Sequence, residues 1–243
     1  MTEGYTKAFL KQSRDQLNAF NEERKKKNKL RIIAISELMG RQLNREMRNM
    51  SILEFGCGTG WGIREFALMH NRCKGVDVFQ EVIDIAYKSH QDIPNLDFHK
   101  INDELPFEDK TFDFVYSSEV IEHVPLCKRD HYFKEFRRVM KDDGCGYISY
   151  PNFWFPLEQH YFIPFHHWLQ RVFQWKNLRY EDIPSKYSLR KKLSPYFNYK
   201  NVTLDFLRSS YVQNYYPKYK TRIARVLSRS PFSIQDYLFL TPK

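Results

Sequence analysis

Long apolar runs are missing from this chain of 243 residues. No stretch of about 18 consecutive apolar residues occurs, so the sequence predicts no membrane-spanning helix. The first dozen residues also lack the apolar core of a secretory signal. The cysteines Cys57, Cys73, Cys127 and Cys145 have neither the paired spacing of a zinc site nor that of a disulfide framework. A reduced cytoplasm is therefore the expected location.

Glycine is scarce and unevenly placed, since all nine glycines lie at or before Gly146. Residues 1–150 contain 24 Lys and Arg against 24 Asp and Glu, whereas residues 151–243 contain 15 against 5. The last part therefore carries the net charge of +10, and it also holds 22 of the 40 aromatic residues. We expect an N-terminal helical extension (1–50), a neutral ligand-binding core (51–150) and a basic, aromatic, substrate-facing part (151–243) that completes the same sheet.

Three glycines alternate directly after a short apolar run, in the sequence Ile52-Leu53-Glu54-Phe55-Gly56-Cys57-Gly58-Thr59-Gly60. This pattern predicts a buried strand that turns sharply into a helix. Because glycine has no Cβ, the backbone adopts positive φ easily and a ligand can lie against it. The helix that follows points free N–H groups at the same ligand. Glu54, at the end of the strand, is placed to hold a hydroxyl or an ammonium group.

The glycine spacing differs from the G-x-G-x-x-G of dinucleotide-binding folds. A second short strand, 74–78, carries the acid Asp77 seventeen residues after Gly60. An acid at the tip of the neighbouring strand can bind both hydroxyls of a ribose. The two strands together therefore predict a site for a ligand that contains a ribose.

The segments that follow resemble one family. Leu105-Pro106-Phe107 and the run from Thr111 to Ser118 are similar to the fourth strand and its lead-in in class I S-adenosylmethionine-dependent methyltransferases. The segment Glu119-Val120-Ile121-Glu122-His123-Val124 resembles the E-V-x-E-H-V of the ubiquinone-pathway type. The resemblance covers residues 50–152 in order. It implies S-adenosyl-L-methionine as the cofactor and an α/β fold with a doubly wound, Rossmann-like, seven-stranded sheet, an N-terminal helical extension and inserts in the C-terminal third.

The order of the predicted elements agrees with that fold, because strands that alternate with helices imply a parallel sheet covered on both faces. The first helical region is expected within 5–48, Ser188 is expected to cap a later helix, and 141–144 is expected to be a turn. The patterns predict strands at 51–55, 73–78, 96–100, 112–117, 145–150, 201–207 and 237–240, and helices at 61–70, 80–89, 128–140, 189–197 and 215–229. In the family, the last two strands form an antiparallel pair.

The resemblance also implies roles for single residues at the cofactor. The turn with Gly56, Gly58 and Gly60 would pack on the methionine and ribose parts, and Asp77 would bind the ribose hydroxyls. Val78 would pack on the adenine, and Ser118 resembles a backbone contact to the cofactor.

Two further positions match the family pattern less closely. Family members place an Asp four positions before the Leu of the Leu-Pro-Phe segment, where it holds the adenine amino group. Here that position is Ile101, so Asn102 or Asp103 is expected to take this role. Arg31 is similar to an arginine that reaches the cofactor carboxylate in ubiquinone-type enzymes, but we expect it to be a surface arginine.

Two histidines are the expected catalytic bases. Methyl transfer from a sulfonium is an in-line displacement, so the protein mainly positions the nucleophile and, for a hydroxyl, removes its proton. His123 and His160 both follow strand ends that open on the substrate side, and imidazole titrates in the right range. Glu119 and Glu122 are expected to orient His123 or to cap a helix. Small-RNA methyltransferases that resemble this segment bind a divalent ion, but we assign no metal here.

Three functions remain open at this stage. The first is an O-methyltransferase that acts on a small-molecule, lipid or glycan acceptor in the cytoplasm, with the basic amphipathic helix 215–229 resting on anionic headgroups at the inner membrane face. The second is an RNA methyltransferase, because a basic and aromatic part can follow phosphates and stack bases. The third is a methyltransferase-like binding protein without turnover. No DNA partner is expected.

Overall fold

The computed structural model describes residues 22–151, 186–209 and 235–243. Within these residues the helices are α1 (Glu22–Leu43), α2 (Trp61–Leu68), α3 (Gln80–His90), α4 (Leu126–Val139), α5 (Lys186–Leu193) and α6 (Thr203–Leu207), with a 3₁₀ turn at Ile121–His123. The strands are β1 (Ser51–Phe55), β2 (Arg72–Asp77), β3 (Leu96–Lys100), β4 (Phe112–Ser118), β5 (Met140–Pro151), β6 (Phe197–Asn201) and β7 (Gln235–Pro242). No described helix is long and apolar enough to cross a membrane.

The strands form one seven-stranded sheet in the order β3-β2-β1-β4-β5-β7-β6. The pairs from β3 through β5 are parallel, whereas β7 runs antiparallel to both β5 and β6. After β1 the chain adds β2 and β3 on one side of this strand. It then crosses over and adds β4 on the other side of β1. Ligands bind at such a reversal, beyond the carboxyl ends of the strands. The predicted α/β fold, including its antiparallel pair, is confirmed.

Each central strand contributes to two apolar layers, because neighbouring side chains of a strand point to opposite faces. Ile52 packs in the first layer with residues of α1, α2, α3 and α6. Leu53 packs in the second layer with residues of α4 and α5. The sheet is therefore covered on both faces, and its crevice lies where the strand ends emerge between the two layers.

The end of the sheet differs from the prediction. Residues 201–207 were expected to form a strand, but β6 ends at Asn201 and residues 203–207 form α6. The Asn201 side chain accepts a hydrogen bond from the backbone N–H of Thr203 at 3.0 Å, an Asx turn that bends the chain out of the sheet. Helix α5 begins at Lys186, so Ser188 lies inside the helix and is not its N-cap.

The predicted turn at 141–144 lies within β5. Phe112 pairs with Met140 and Phe114 with Cys145, so the intervening residues of β5 bulge out of the register. The strand predicted at 145–150 is confirmed, and the structure extends it in both directions. The basic helix predicted at 215–229 lies outside the described residues.

Candidate active site

The glycine turn at the end of β1 has a left-handed backbone at each of its alternating glycines. The φ angles of Gly56, Gly58 and Gly60 are 75°, 53° and 81°, values that side chains with a Cβ rarely adopt. The backbone N–H of Gly56 donates to the carbonyl of Val76 at 2.8 Å, and that of Gly60 donates to the carbonyl of Cys57 at 3.0 Å. The turn is therefore anchored to β2 and closed on itself.

The glycines differ in what lies beside them. A Cβ on Gly56 would lie 2.4 Å from Cγ2 of Val120, and one on Gly60 would lie 2.5 Å from Cζ of Phe98. Beside Gly58, in contrast, no described atom lies within 4 Å of the Cβ position. Packing thus explains two of the glycines, whereas the third leaves open backbone that a ligand can approach.

Asp77 joins the tip of β2 to this turn. Its Oδ2 accepts a hydrogen bond from the backbone N–H of Gly58 at 3.0 Å, and its Oδ1 accepts one from Phe79 at 3.1 Å. Burial raises the pKa of Asp77, while the N–H groups of Phe79 and Gly58 act in the opposite direction. The structure therefore brings together the acid and the glycine turn that the sequence placed in one site.

Glu54 lies buried behind the turn, beneath the first residues of α2. A Cβ on Gly62 would lie 2.7 Å from its Oε1, and its Oε2 has no hydrogen-bond partner among the described residues. Burial raises the pKa of Glu54 to about 8, although Arg31 and the backbone N–H of Ile63 lower it. Because an orphaned, buried carboxylate oxygen is costly, the site fits a ligand that brings a cation or a hydrogen-bond donor.

Arg31 reaches the same site from α1. Its Nη1 lies 4.0 Å from Oε1 of Glu119, and its side chain is 27% exposed. Its charge also lowers the pKa of Glu54 and of Tyr116. The expectation of a surface arginine is therefore wrong: α1 packs in the same apolar layer as β1 and β4, which brings Arg31 to the ends of those strands.

The tip of β4 is held in a strained backbone conformation. Glu119 has a φ of 58°, and a residue with a Cβ pays about 1–2 kcal/mol for this region. Its backbone N–H donates to the carbonyl of Ser149 at 3.0 Å, and its Oε1 accepts a hydrogen bond from Gln235 at 2.8 Å. The hydroxyl of Ser118 pairs with that of Ser149 at 2.7 Å. The ends of β4, β5 and β7 thus form one polar wall of the crevice.

The 3₁₀ turn after β4 separates the acidic side chains that precede His123. The Glu119 side chain is 46% exposed, whereas Glu122 is 2% exposed. His123 is half-buried. Among the described residues, no three His, Cys, Asp or Glu side chains are grouped as metal ligands. Glu119, Glu122 and His123 are therefore not grouped as ligands of one metal ion in the described part of the chain.

The loop after β3 approaches Asp77 with its backbone. The N–H of Ile101 donates to the carbonyl of Asp77 at 2.9 Å, and the Ile101 side chain is buried in the second layer. Asn102 accepts a hydrogen bond from Lys100 at 2.6 Å, and Asp103 pairs with Lys128. Both side chains are exposed. The structure therefore brings the loop to Asp77, but it engages the side chains of Asn102 and Asp103 with lysines.

Val78 and His160 are the predicted site residues that remain. Val78 is half-buried against the second apolar layer, next to Asp77. His160 lies outside the described residues, so of the two expected bases the structure places only His123.

A residue that the sequence interpretation missed supports the turn from behind. Nε2 of His90, in the last turn of α3, lies 3.0 Å from the carbonyl oxygen of Thr59. The histidine follows no motif, and its partner is a backbone group 31 residues away. No local sequence signal connects such a pair.

Comparisons with known proteins agree with this geometry. Residues 53–148 match the profile of the family described as a methyltransferase domain. The chain is 25% identical over 119 residues to the ubiquinone biosynthesis O-methyltransferase of Pelagibacter ubique, an alignment that covers 49% of each protein. It is 31% identical over 106 residues to the demethylmenaquinone methyltransferase of Chlorobaculum parvum, covering 43% of this chain and 42% of that protein. The chain thus spans about half the length of these curated relatives.

Solved structures share the fold. A TehB-like S-adenosylmethionine-dependent methyltransferase from Corynebacterium glutamicum superposes with a TM-score of 0.60 at 15% identity, and the match covers 100% of both chains. The strand order and the crevice thus define an α/β protein of the methyltransferase fold. The family match over residues 53–148, the named relatives and the fold together support a class I S-adenosylmethionine-dependent methyltransferase. The family and the fold imply S-adenosyl-L-methionine as its cofactor.

Proposed function

We propose that this chain transfers the methyl group of S-adenosyl-L-methionine to a hydroxyl of a small-molecule, lipid or glycan acceptor. One observation carries the proposal: the backbone of Gly58 is open to the crevice and its N–H is held by Asp77, at 3.0 Å, where the strand order reverses. The O-methylation is supported by a relative that is named for ubiquinone O-methylation.

Different residues around the crevice are assigned to different parts of the cofactor. Asp77 binds the ribose hydroxyls, and Val78 packs on the base, whose amino group is assigned to the loop of Asn102 and Asp103. Ser118 borders the cofactor with its backbone. The opposite charges of Glu54 and Arg31 suit the ammonium and carboxylate groups of the methionine part.

Methyl transfer needs the acceptor hydroxyl in line with the methyl group and a protein base that removes its proton. When bound, the cofactor supplies an electrophilic methyl on a good leaving group, so the protein has to orient the hydroxyl and remove its proton. His123 takes that proton after β4, and His160 is the second candidate. An acceptor in a membrane would bring the basic segment 215–229 to anionic headgroups from the cytoplasmic side.

Calorimetry with S-adenosylhomocysteine tests the proposal. The wild-type chain should bind this product, and Asp77→Ala should bind it about 3 kcal/mol, or roughly 100-fold, more weakly, because two charge-assisted hydrogen bonds to the ribose are lost. Asp84→Ala is the matched control, since Asp84 lies exposed on α3 and accepts a hydrogen bond from Gln80. No binding by the wild-type chain, or equal affinities of the Asp77 and Asp84 variants, would contradict the assignment.

An acceptor panel then tests the reaction. Release of S-adenosylhomocysteine is measured with phenolic and quinol-type hydroxyls, glycans, lipid vesicles and RNA. We expect turnover with one of the hydroxyl acceptors and a loss of turnover in His123→Gln. Turnover with RNA alone, with a steep salt dependence, would instead support an RNA methyltransferase.

A further inference from the structure

His90 is a buried histidine on the side of the glycine turn that faces α3. It is 2% exposed, and its Nε2 lies 3.0 Å from the carbonyl oxygen of Thr59, in the middle of the turn. The ring also contacts Trp61 edge-on at 4.7 Å between centroids and lies beside Phe98. It therefore touches both the turn and the first residue of α2.

The partner of His90 fixes the protonation of the ring. A carbonyl oxygen only accepts hydrogen bonds, so Nε2 must carry the proton. Nδ1 is buried and has no partner among the described residues. Burial lowers the pKa of His90, which keeps Nδ1 unprotonated. The neutral ring therefore donates its one N–H hydrogen bond to the backbone of the turn.

The peptide between Thr59 and Gly60 is held at both ends. Its carbonyl accepts the hydrogen bond from His90, and its N–H donates to the carbonyl of Cys57 at 3.0 Å. Two peptide groups earlier, the N–H of Gly58 is held by Asp77. Since a peptide group is planar, fixing both ends fixes its orientation. The turn is thus pinned from β2 on one side and from α3 on the other.

We propose that His90 is a positioning residue of the cofactor site, which keeps the glycine turn in its binding conformation through the carbonyl of Thr59. The cofactor part of this inference rests on the proposed function. Without the donor, the Thr59 carbonyl would lack its buried partner and the peptide would be held only through the N–H of Gly60, so the open face at Gly58 would be less well preformed.

Packing is the competing explanation, because the ring fills space between Trp61 and Phe98. Two variants of similar size separate the explanations. His90→Gln keeps an N–H donor near the position of Nε2, whereas His90→Met has the same length and no donor. Both residues are good helix formers, so differences between the two variants report the hydrogen bond and not the loss of the ring.

Hydrogen exchange in the ligand-free chain is the first readout. We expect His90→Met to speed deuterium uptake of a peptide covering residues 56–62 by roughly tenfold, the factor for one net hydrogen bond to a buried group. His90→Gln should stay within about threefold of the wild type. Equal uptake by the two variants would overturn the inference, whatever their melting temperatures.

Affinity for S-adenosylhomocysteine is the second readout. We expect His90→Met to bind it roughly tenfold more weakly than His90→Gln. Equal affinities of the two variants would overturn the cofactor part. If the uptake difference appears but the wild-type chain binds no S-adenosylhomocysteine, the hold on the turn is supported and the proposed function is refuted, so the two failures are distinguishable.

Discussion

At the scale of single residues, we expect the charge of Glu54 to depend on the bound ligand. Glu54 is 6% exposed, and burial raises the pKa of its carboxyl to about 8. In the free protein at pH 7 burial therefore favours the protonated form of Glu54. An ammonium group beside it favours the ionised form, so binding of an amino-acid ligand should release its proton.

This linkage gives a prediction for pH dependence. Titration of S-adenosylhomocysteine at pH 7 in two buffers of different ionisation enthalpy should show release of about one proton. Below pH 8 the affinity should fall by up to tenfold per pH unit, because each unit adds about 1.4 kcal/mol to the cost of ionising Glu54.

The control ligand is 5′-methylthioadenosine, which has the same nucleoside but no amino-acid group. It should bind without releasing a proton, and Glu54→Gln should bind S-adenosylhomocysteine without this release. Proton release by the Gln variant would show that another group is responsible.

Some residues of the site could be predicted from the sequence, and others could not. Gly56, Gly58, Gly60 and Asp77 were predictable because a short strand and a tight turn fix their relative positions through the backbone. Arg31 and His90 were not, since each reaches the site from a helix that is distant in sequence. Their packing, and not a local pattern, decides where they point.

At the scale of elements, one face of α4 holds the loop that follows β3. The hydroxyl of Tyr132 donates to the carbonyl of Asn102 at 3.0 Å, and Glu135 accepts a hydrogen bond from the N–H of Leu105 at 3.0 Å. Arg138 donates to the carbonyls of Leu105 and Phe107 at 3.0 and 2.7 Å. These contacts recur at three-residue intervals, which places them on one face of the helix.

Removing Arg138 should loosen this loop. Arg138→Ala should lower the free energy of unfolding by about 2 kcal/mol, because two backbone carbonyls lose their charged donor. Urea denaturation measures the change. Lys134→Ala is the control, since Lys134 lies exposed on the same helix and should change stability by less than about 0.5 kcal/mol. Equal midpoints for the two variants would contradict this role of Arg138.

Element boundaries were the weaker part of the sequence interpretation. The strands 51–55 and 96–100 were predicted with the bounds that the structure gives them. Residues 201–207 alternate apolar and polar like a strand, yet the Asx turn at Asn201 starts α6 there. The hydrogen bond from the Asn201 side chain favours a helix, whereas the alternation favours a strand. The sequence pattern alone does not tell which of the two structures forms.

At the scale of the whole molecule, β7 joins the two apolar layers. Tyr237 and Phe239 pack in the first layer, and Leu238 packs in the second. The strand pairs with β5 on one side and β6 on the other. We therefore expect residues 51–150 and the final strands to unfold together, as one cooperative unit.

Leu238→Ala tests this cooperativity. The side chain is 0% exposed, and its truncation should cost about 3 kcal/mol, a large part of the stability of about 5–15 kcal/mol that a domain has. Hydrogen exchange should speed up in β1 as well as in β7. Thr241→Ala, a half-buried position on the same strand, should have a smaller effect. Faster exchange confined to β6 and β7 would show that the sheet is not one unit.

The position of β7 between β5 and β6 also has a consequence during translation. The ribosome completes β6 before β7, but β6 lies at the sheet edge and pairs only with β7 among the described strands. Until β7 emerges, β5 presents an unpaired border and β6 has no partner. A nascent chain that stalls at this stage offers the kind of bare edge on which chains associate wrongly, so we expect the pairing of β7 with β5 and β6 to be the step that removes this exposed edge.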